Sequence, residues 1–393
     1  MTSLSSFVDL PLDEQQARGL QFTPREIAQQ PDTWLTTVRI FQEEQARICR
    51  FLEEVGLLQP IESRPVVLLV GAGTSDYIGQ SLAPLLREKW GCEVAAYPST
   101  ELLTNMDEYI VPGRQYLWIS FSRSGDSPEG VAVLEQALDR YPEVAHLVVT
   151  CNADARMASI TREATRACVV VLDDAVNDRS LAMTSSFTNM IVMGQCLAHA
   201  WATEEYVSLM GHLVAAGRDF LHTAADEAES VSAQGLPRAC FVGSGALAGV
   251  AKEAALKVLE MTAGDVKTMA ETVLGLRHGP MAALDTETLF ICFASSDERR
   301  QRYAADLMYE ISAKQITGRR IVVGPHAAKA LFAASCDRYL AVPDGIADGY
   351  RPILDVMFGQ LLGLYSSIAR KMKPDAPSPG GVINRVVQEF RIY

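Results

Sequence analysis

Short runs of apolar residues recur along the chain and predict buried β-strands with helices between them. The runs are nearly continuous rather than alternating, which is typical of parallel strands covered on both faces. The segments between the runs carry apolar residues at helical spacing. Strands that alternate with helices in this way predict an α/β fold with doubly wound parallel sheets and right-handed crossovers. In the first half of the chain the predicted strands are 66–70, 94–97, 116–121, 146–149 and 168–171.

The strand pattern occurs twice along the chain. VVLLVGAG in the first half matches CFVGSG in the second, and LWISF matches LFICF. Both pairs share one offset of about 172 positions, and two further pairs fall within a few residues of it. A shared offset indicates an internal duplication, so we predict two tandem flavodoxin-like domains. The matched pairs are 66–73 with 240–245, 117–121 with 289–293, 146–149 with 320–323, and 168–171 with 338–342.

Three other regions complete the predicted organisation. The N-terminal segment is helical, with helix starts expected at Thr23 and Asp32 and a stripe of large apolar residues that we expect to pack on the body of the protein or on a second subunit. The tail after Lys373 is rich in proline and glycine and predicts an extended strap over the site. The stripe consists of Trp34, Val38, Phe41, Ile48 and Leu52. The predicted domains are a helical segment 1–60, a first domain 61–203, a helical connector 204–234, a second domain 235–373 and the strap 374–393.

Composition narrows the class of protein. A net charge of −13 argues against nucleic acid or an anionic membrane as the main partner, and 48% apolar with 21% charged residues is ordinary for a globular protein. The N-terminus has no secretory-signal pattern, and no apolar run approaches the ~20 residues that span a bilayer. The eight cysteines include no C-x-x-C pair and the six histidines, His212 and His222 among them, lack metal-ligand spacing. We therefore expect a cytoplasmic protein without a metal or redox cofactor.

A turn rich in hydroxyl groups is the strongest candidate for chemistry. Ser122-Arg123-Ser124-Gly125-Asp126-Ser127-Pro128 follows one predicted strand and begins a helix, with Ser127 at the N-cap and Pro128 at the first helical position. A helix N-terminus with free N–H groups and hydroxyls can hold a phosphate dianion. Gly71-Ala72-Gly73-Thr74-Ser75 forms a second such turn. The plainer interpretation is an ordinary serine-rich turn, but two such turns at adjacent strand ends could enclose one phosphate.

The second half carries titratable groups instead. The turn 294–299 has acidic residues where the first half has glycine, and these would repel a phosphate. On the helix 251–260, Lys257 and Glu260 share a face. Taken alone, the spacing favours a plainer interpretation, a surface salt-bridge ladder from Glu253 to Lys257. A lone histidine at a turn, such as His278, is likewise more often structural than catalytic. Together, a carboxylate, a lysine and a histidine are what aldose–ketose chemistry needs.

These motifs resemble the double sugar isomerase (SIS) family. The pattern G-x-G-T-S, then S-x-S-G-[DE]-[ST], then a K-x-x-E helix and an R/K-H-G-P turn is similar to the isomerase half of glucosamine-6-phosphate synthase. The resemblance covers nearly all of the chain after residue 60. Within the family the chain is most similar to the AgaS branch of galactosamine-6-phosphate deaminases, also described as tagatose-6-phosphate ketose/aldose isomerases. The supporting stretches are 181–188, 275–280 and 379–388.

The resemblance implies roles for the matching residues. Glu260 would move the proton between C1 and C2 with help from Lys257, and His278 would open the sugar ring. In the synthase this histidine comes from the neighbouring subunit, which implies a homodimer or a higher homo-oligomer with shared sites. The sugar site would be lined by Thr184 and Ser185. The phosphate would be bound by Ser75, Ser122, Ser124 and Ser127.

Two positions depart from the family pattern. Arg123 stands where the family has glutamine, and it could add a direct charge contact to the phosphate. The tail has Asn384 and Arg385 where the synthase has a lysine implicated in Schiff-base formation. An arginine stays protonated and cannot form that imine. Covalent catalysis from the tail is therefore not expected, although Asn384 and Arg385 remain candidates for substrate binding.

The resemblance and the residues together predict a reaction. The sequence shows no glutaminase-like half, so catabolic deamination of an aminosugar 6-phosphate is expected rather than amidotransfer, with galactosamine 6-phosphate giving tagatose 6-phosphate and ammonia. Isomerisation of a non-amino sugar phosphate would use the same residues without ammonia. A sensor that binds without turnover is an alternative of another class, but the first 60 residues lack a basic recognition helix. A nucleotide-binding dehydrogenase is weaker still, because Gly71-Ala72-Gly73 lacks the third glycine.

Overall fold

The computed structural model describes residues 3–378, 380–388 and 390–393. Met1 and Thr2 of the predicted N-terminus, and Pro379 and Glu389 of the predicted strap, lie outside the described residues. The chain divides into two compact units, each built from separated segments. Unit 1 comprises Met1–Pro31, Arg179–Thr184 and His212–Val382, and unit 2 comprises Asp32–Asp178, Ser185–Gly211 and Ile383–Tyr393. The sequence-based domain boundaries stay a prediction.

The chain begins with four helices. The third starts at Thr23 as predicted, whereas the fourth starts two residues before the expected Asp32. The apolar stripe on the fourth helix is buried, with each of its five side chains no more than 4% exposed. The predicted packing role of this segment is therefore confirmed. The four helices are α1 (Ser3–Val8), α2 (Leu12–Arg18), α3 (Thr23–Ala28) and α4 (Gln30–Val55).

Unit 2 contains a five-stranded parallel sheet with helices between the strands. The spatial order of its strands is β2-β1-β3-β4-β5. All residues of β1, β3 and β4 are buried, which explains their continuous apolar sequences. The strands are β1 (Val66–Gly71), β2 (Val94–Pro98), β3 (Tyr116–Ser122), β4 (Ala145–Thr150) and β5 (Ala167–Val171). The helices are α5 (Thr74–Trp90), α6 (Ser99–Tyr109), α7 (Pro128–Arg140), α8 (Arg156–Glu163) and α9 (Ser185–Ala198).

Burial in the core of unit 2 changes the acid–base behaviour of one histidine, His146. His146 on β4 lies opposite Trp118 on β3, and the two rings meet edge to face at 5.6 Å. His146 is fully buried, and neither ring nitrogen has a hydrogen-bond partner among the described residues. Burial lowers the pKa of this imidazole from 6.5 to about 4, so the ring is neutral near pH 7.

Unit 1 repeats the sheet of unit 2 after the long helix α10 (Thr203–Ser232). Its strand order, β7-β6-β8-β9-β10, is the same topology with the same parallel pairing. The fold prediction, tandem doubly wound parallel sheets with N-terminal helices, is thus confirmed. The strands are β6 (Arg238–Gly243), β7 (Lys267–Thr272), β8 (Thr288–Phe293), β9 (Arg319–Pro325) and β10 (Arg338–Val342). The helices are α11 (Ala246–Met261), α12 (Glu298–Lys314), α13 (Lys329–Phe332) and α14 (Pro352–Ala369).

The turn between the first strand and the first helix of each sheet has the same backbone conformation in both halves, and glycines occupy the same positions in it. Gly73 has φ 55° and ψ −120°, and Gly245 has φ 59° and ψ −128°, a backbone conformation that side chains rarely adopt. A Cβ on Gly71 would lie 2.5 Å from the carbonyl carbon of Ser75, and one on Gly243 would lie 2.1 Å from the carbonyl oxygen of Leu247. The first strand of each half can pass this tightly into its helix only because these positions have no side chain.

Helix α14 is the central helix of unit 1. By length and composition it could cross a membrane, but 89% of it is buried inside the protein, as expected of a core helix. It packs closely along α11. Gly359 and Gly363 make this approach possible, since a Cβ on Gly359 would lie 2.3 Å from the Cβ of Ala254 and one on Gly363 would lie 2.9 Å from the carbonyl oxygen of Lys257. Glycines on α14 therefore set the position of the helix that carries the candidate acid–base groups.

Candidate functional site

The hydroxyl-rich turn of unit 2 is held in shape by its own serines. Ser122 Oγ accepts a hydrogen bond from the N–H of Gly125 at 3.0 Å, and Ser124 Oγ accepts one from the N–H of Asp126 at 3.3 Å. Gly125 has φ 64°, and a Cβ there would lie 2.4 Å from the Cβ of Ala155. Each hydroxyl acts as an acceptor within the turn, and its own proton has no acceptor among the residues that the structure describes, so it can be donated to a ligand.

The helix that follows this turn begins where the sequence predicts. Ser127 is the N-cap of α7 and Pro128 its first residue, but the Ser127 side chain makes no capping hydrogen bond. The carboxylate of Asp126 accepts from the N–H of Arg156 at 2.8 Å and from Asn152 Nδ2 at 3.2 Å, so its charge is engaged at the start of α8. The N-terminus of α7 thus keeps both its dipole and the hydroxyl of its N-cap for an anion.

The second turn of unit 2 ends the neighbouring strand of the same sheet. β1 pairs directly with β3, so the turns after these strands lie at one edge of the sheet, as expected. Ser75 lies in the first turn of α5 and is 6% exposed. This is the edge of a doubly wound parallel sheet at which ligands generally bind.

The C-terminal tail is fastened to this part of unit 2. Arg123, 6% exposed, donates a hydrogen bond to the backbone carbonyl of Arg385. Arg385 Nε donates to the carbonyl oxygen of Asp178, and its Nη2 donates to Asn177 Oδ1, both at 2.7 Å. Arg123 and Arg385, which the sequence places far apart, are therefore direct neighbours, while Asn384 beside them is exposed.

Asp178 links the tail to the start of α9. Its carboxylate accepts hydrogen bonds from the N–H and the Oγ of both Ser185 and Ser186, at distances of 2.5 to 3.1 Å. Sequence reasoning missed Asp178, because its partners follow it by seven and eight residues across an irregular loop. Thr184 and Ser185 are fully buried, and the Thr184 carbonyl accepts from Gln360 Nε2. Their assignment to the sugar site stays a prediction.

The candidate acid–base groups of unit 1 lie on α11. Lys257 Nζ is 2.6 Å from Glu260 Oε2 and 3.4 Å from Glu253 Oε1. The Lys257 side chain is 1% exposed and that of Glu253 is fully buried, whereas that of Glu260 is 24% exposed. The expectation of a surface salt-bridge ladder from Glu253 to Lys257 is therefore wrong. Twelve of the sixteen residues of α11 are apolar or glycine, and this composition was the sequence signal for a largely buried helix.

The arrangement on α11 gives each group a distinct environment. Glu253 and Lys257 form a charged pair away from water, and Glu260, at the other side of the lysine, is the member of the group that solvent reaches. A partly exposed carboxylate held at 2.6 Å by an ammonium has a fixed orientation. Such a carboxylate can accept a proton from a bound molecule and return it.

His278 lies on the surface of unit 1. It follows a short 3-10 helix, Gly275–Arg277, and precedes Gly279, whose φ of 122° reverses the chain. His278 is exposed, and the neighbouring Arg277 is fixed by a 2.8 Å ion pair with Glu310. The imidazole of His278 is therefore exposed on a turn whose position is fixed by the Arg277–Glu310 ion pair.

Comparisons with known proteins place the chain among sugar-phosphate enzymes. The sequence profile of the SIS domain matches residues 61–200. D-galactosamine-6-phosphate deaminase AgaS of Escherichia coli is 36% identical over 381 residues, which are 95% of this chain and 95% of that protein. A crystal structure described as tagatose-6-phosphate ketose/aldose isomerase from Escherichia coli matches with a TM-score of 0.83 at 33% identity, covering 92% of this chain and 95% of that one.

A more distant structure shares the fold. The C-terminal domain of glucosamine-fructose-6-phosphate aminotransferase from Francisella tularensis matches with a TM-score of 0.73 at 18% identity and covers 88% of this chain and 96% of that one. The resemblance noted in the sequence is thereby confirmed at the level of the fold.

Proposed function

The chain belongs to the AgaS family of SIS-domain proteins, and from that premise we propose that it is an aminosugar-phosphate deaminase that converts galactosamine 6-phosphate to tagatose 6-phosphate and ammonia. The observation that carries the proposal is the contrast between the units. Unit 2 has a turn at a helix N-terminus whose serine hydroxyls accept within the turn and can donate to a ligand, and unit 1 has a solvent-accessible carboxylate ordered by a buried lysine. The first suits a phosphate, and the second suits proton transfer.

In the proposed enzyme the phosphate is bound by Ser75, Ser122, Ser124 and Ser127 with the N-terminus of α7. These groups supply neutral donors and a helix dipole, and the guanidinium of Arg123 adds a positive charge close to the same turn. Arg385, bonded to Asn177 and Asp178, holds the tail against Arg123. Asn384, Thr184 and Ser185 are assigned to the sugar. No residue of this set needs a metal or a redox cofactor for its part.

The proposed reaction begins with ring opening by His278. Glu260, oriented by Lys257, then removes the proton from C2 of the open-chain amino aldehyde while O1 takes a proton from water, which gives an enaminol with a double bond between C1 and C2. Return of the first proton to C1 and loss of a proton from the nitrogen to water yield a ketimine at C2. Addition of water and loss of ammonia leave the ketose 6-phosphate, so atoms balance without an added oxidant or reductant. The exposure of His278 supports a role for this residue in the site of a second subunit, and hence a homodimer or higher homo-oligomer.

Ammonia release by the purified chain tests the reaction. We expect ammonia from galactosamine 6-phosphate and none from galactosamine, since the phosphate supplies the binding contacts. Glu260→Gln should lower kcat by about 10²–10⁴, the usual contribution of one general acid–base group. Glu229→Gln, at an exposed position on α10, is the matched control and should keep full activity. Full turnover by Glu260→Gln would contradict the assignment.

Isomerisation of tagatose 6-phosphate is the second candidate, because one matched structure is described by that activity. It uses the same C1–C2 proton transfer and differs only in having a hydroxyl where the deaminase substrate has an amine. Interconversion of tagatose 6-phosphate with its aldose, in the absence of ammonia release from any aminosugar phosphate, would favour this function. Glucosamine 6-phosphate in the same assay identifies the preferred C4 epimer. We expect the enzyme to act in the cytoplasm.

A further inference from the structure

The turn after β8 in unit 1 occupies the same topological place as the hydroxyl-rich turn after β3 in unit 2. Both end the third strand of their half and lead into a helix, here α12. The acidic residues of this turn predict that phosphate is excluded. In the structure a carboxylate from another loop accepts hydrogen bonds from this turn.

The seated group is the side chain of Asp348. It accepts hydrogen bonds from Ser295 Oγ, from the N–H of Ser296 at 2.6 Å, and from Arg300 Nη1 at 3.1 Å. A second guanidinium nitrogen, Arg351 Nη1, lies 3.6 Å from the same carboxylate. A hydroxyl, a backbone N–H at a strand end and two arginines form the kind of donor set that binds phosphate oxygens.

The donors around Asp348 are fixed by contacts of their own. Arg351 is fully buried and donates to the carbonyl oxygen of Ala294 at 2.6 Å and to Asp355 Oδ2 at 2.5 Å. Ser295 is 3% exposed and Asp348 8%, whereas the Arg300 side chain is half exposed. We call this set of donors (Ser295, Ser296, Arg300 and Arg351) the cradle. It is rigid on its buried side and reaches solvent at Arg300.

We propose that the turn after β8 is an anion-binding site that the chain fills with its own Asp348 carboxylate. The duplicated fold would then contain two oxyanion-binding turns, and the one in unit 1 is occupied by the Asp348 carboxylate of the same chain. Its ligand class, once Asp348 is removed, is a small oxyanion such as inorganic phosphate or sulfate. Two negative groups remain beside it, Asp355 on Arg351 and Asp297, which accepts from the N–H of Arg300 at 2.9 Å. Each is already engaged, so the Ser295 hydroxyl and the Arg300 guanidinium that Asp348 releases can bond the new ion, with the fixed Arg351 guanidinium beside it.

Asp348→Ala tests this proposal, with inorganic phosphate as the probe and calorimetric titration as the measurement. We expect one more phosphate bound per chain in Asp348→Ala than in the unmodified protein. Asp348→Asn is the matched control, because its amide fills the same space and should add no site. Arg300→Ala combined with Asp348→Ala should lose the added site. An unchanged number of phosphates in Asp348→Ala, or a gain that survives Arg300→Ala, overturns the proposal.

The outcome is separable from that of the proposed function. If the turn of unit 2 binds no phosphate, the unmodified protein binds none and Asp348→Ala binds one. That result contradicts only the phosphate role of the turn in unit 2. If Asp348→Ala unfolds in chloride buffer, recovery of its Tm by phosphate at matched ionic strength supports the added site, since a ligand of the folded state stabilises it. Failure of phosphate to raise the Tm above its value in chloride overturns the proposal.

Discussion

Replacing Lys257 by methionine should destabilise unit 1 strongly. Lys257 lies between Glu253 and Glu260 with its side chain 1% exposed, so the substitution removes the ammonium 3.4 Å from a fully buried carboxylate. Removing one partner of a buried ion pair costs about 3–5 kcal/mol, because the remaining charge loses its compensation. We expect the free energy of unfolding to fall by about that amount in urea denaturation followed by circular dichroism.

A second substitution separates the charge effect from packing. In Lys257→Met combined with Glu253→Leu the buried charges are replaced by apolar groups, which is often neutral for stability. Most of the lost free energy should return, while ammonia release should not, since Glu260 still lacks the lysine that orients it. If Lys257→Met is as stable as the unmodified protein, or if the double variant is no more stable than the single one, the buried-pair reasoning is refuted.

Three further predictions address the core, the helix packing and the tail. His146→Phe should remove an acid-dependent loss of stability. Because the pKa of this imidazole falls from 6.5 to about 4 on folding, stability is complete above pH 6.5 and falls by about 3 kcal/mol as the pH drops to 4, so the urea midpoints of variant and parent should diverge across that range. Gly359→Ala should lower the free energy of unfolding by about 1–3 kcal/mol, because its Cβ would lie 2.3 Å from that of Ala254. Gly211→Ala, with no atom near its added methyl, should cause no loss of stability in the same thermal melts. Arg385→Ala should raise the KM for the sugar phosphate by about tenfold or more, the value of a charged hydrogen bond, with Arg391→Ala as the control. An unchanged KM in steady-state kinetics contradicts the role of Arg385 in holding the tail at the site.

The sequence predicted those parts of the fold that depend on local pattern. Continuous apolar runs gave the strands, and the glycines at 71, 73, 243 and 245 marked the two turns that no other residue allows. The spacing of Ser127 and Pro128 gave the start of α7. In each case the structural feature is determined by residues close to it in the sequence, so a single sequence was enough to predict it.

The interactions that the sequence could not predict join distant segments or depend on depth. Asp348 meets Ser295 across 53 positions, and Arg385 meets Asp178 across 207. The spacing of Glu253 and Lys257 is the same for a surface pair and a buried one, so spacing alone could not show that their charges lie away from water. Burial is a property of the packed helices α11 and α14, and it decided the environment of the candidate acid–base groups.

Helix α3, which starts at Thr23, is capped by a residue far from it in the sequence, and this affects the order in which contacts form during translation. The carboxylate of Asp375 accepts hydrogen bonds from the N–H groups of Gln21 and Thr23, both at 2.7 Å, so the start of α3 is secured by a residue 352 positions after Thr23. During translation the sheet of unit 2 has all five strands long before Asp375 is made. The N–H groups at the start of α3 therefore lack this partner until residue 375 has been made, so α3 completes its contacts later than the sheet of unit 2.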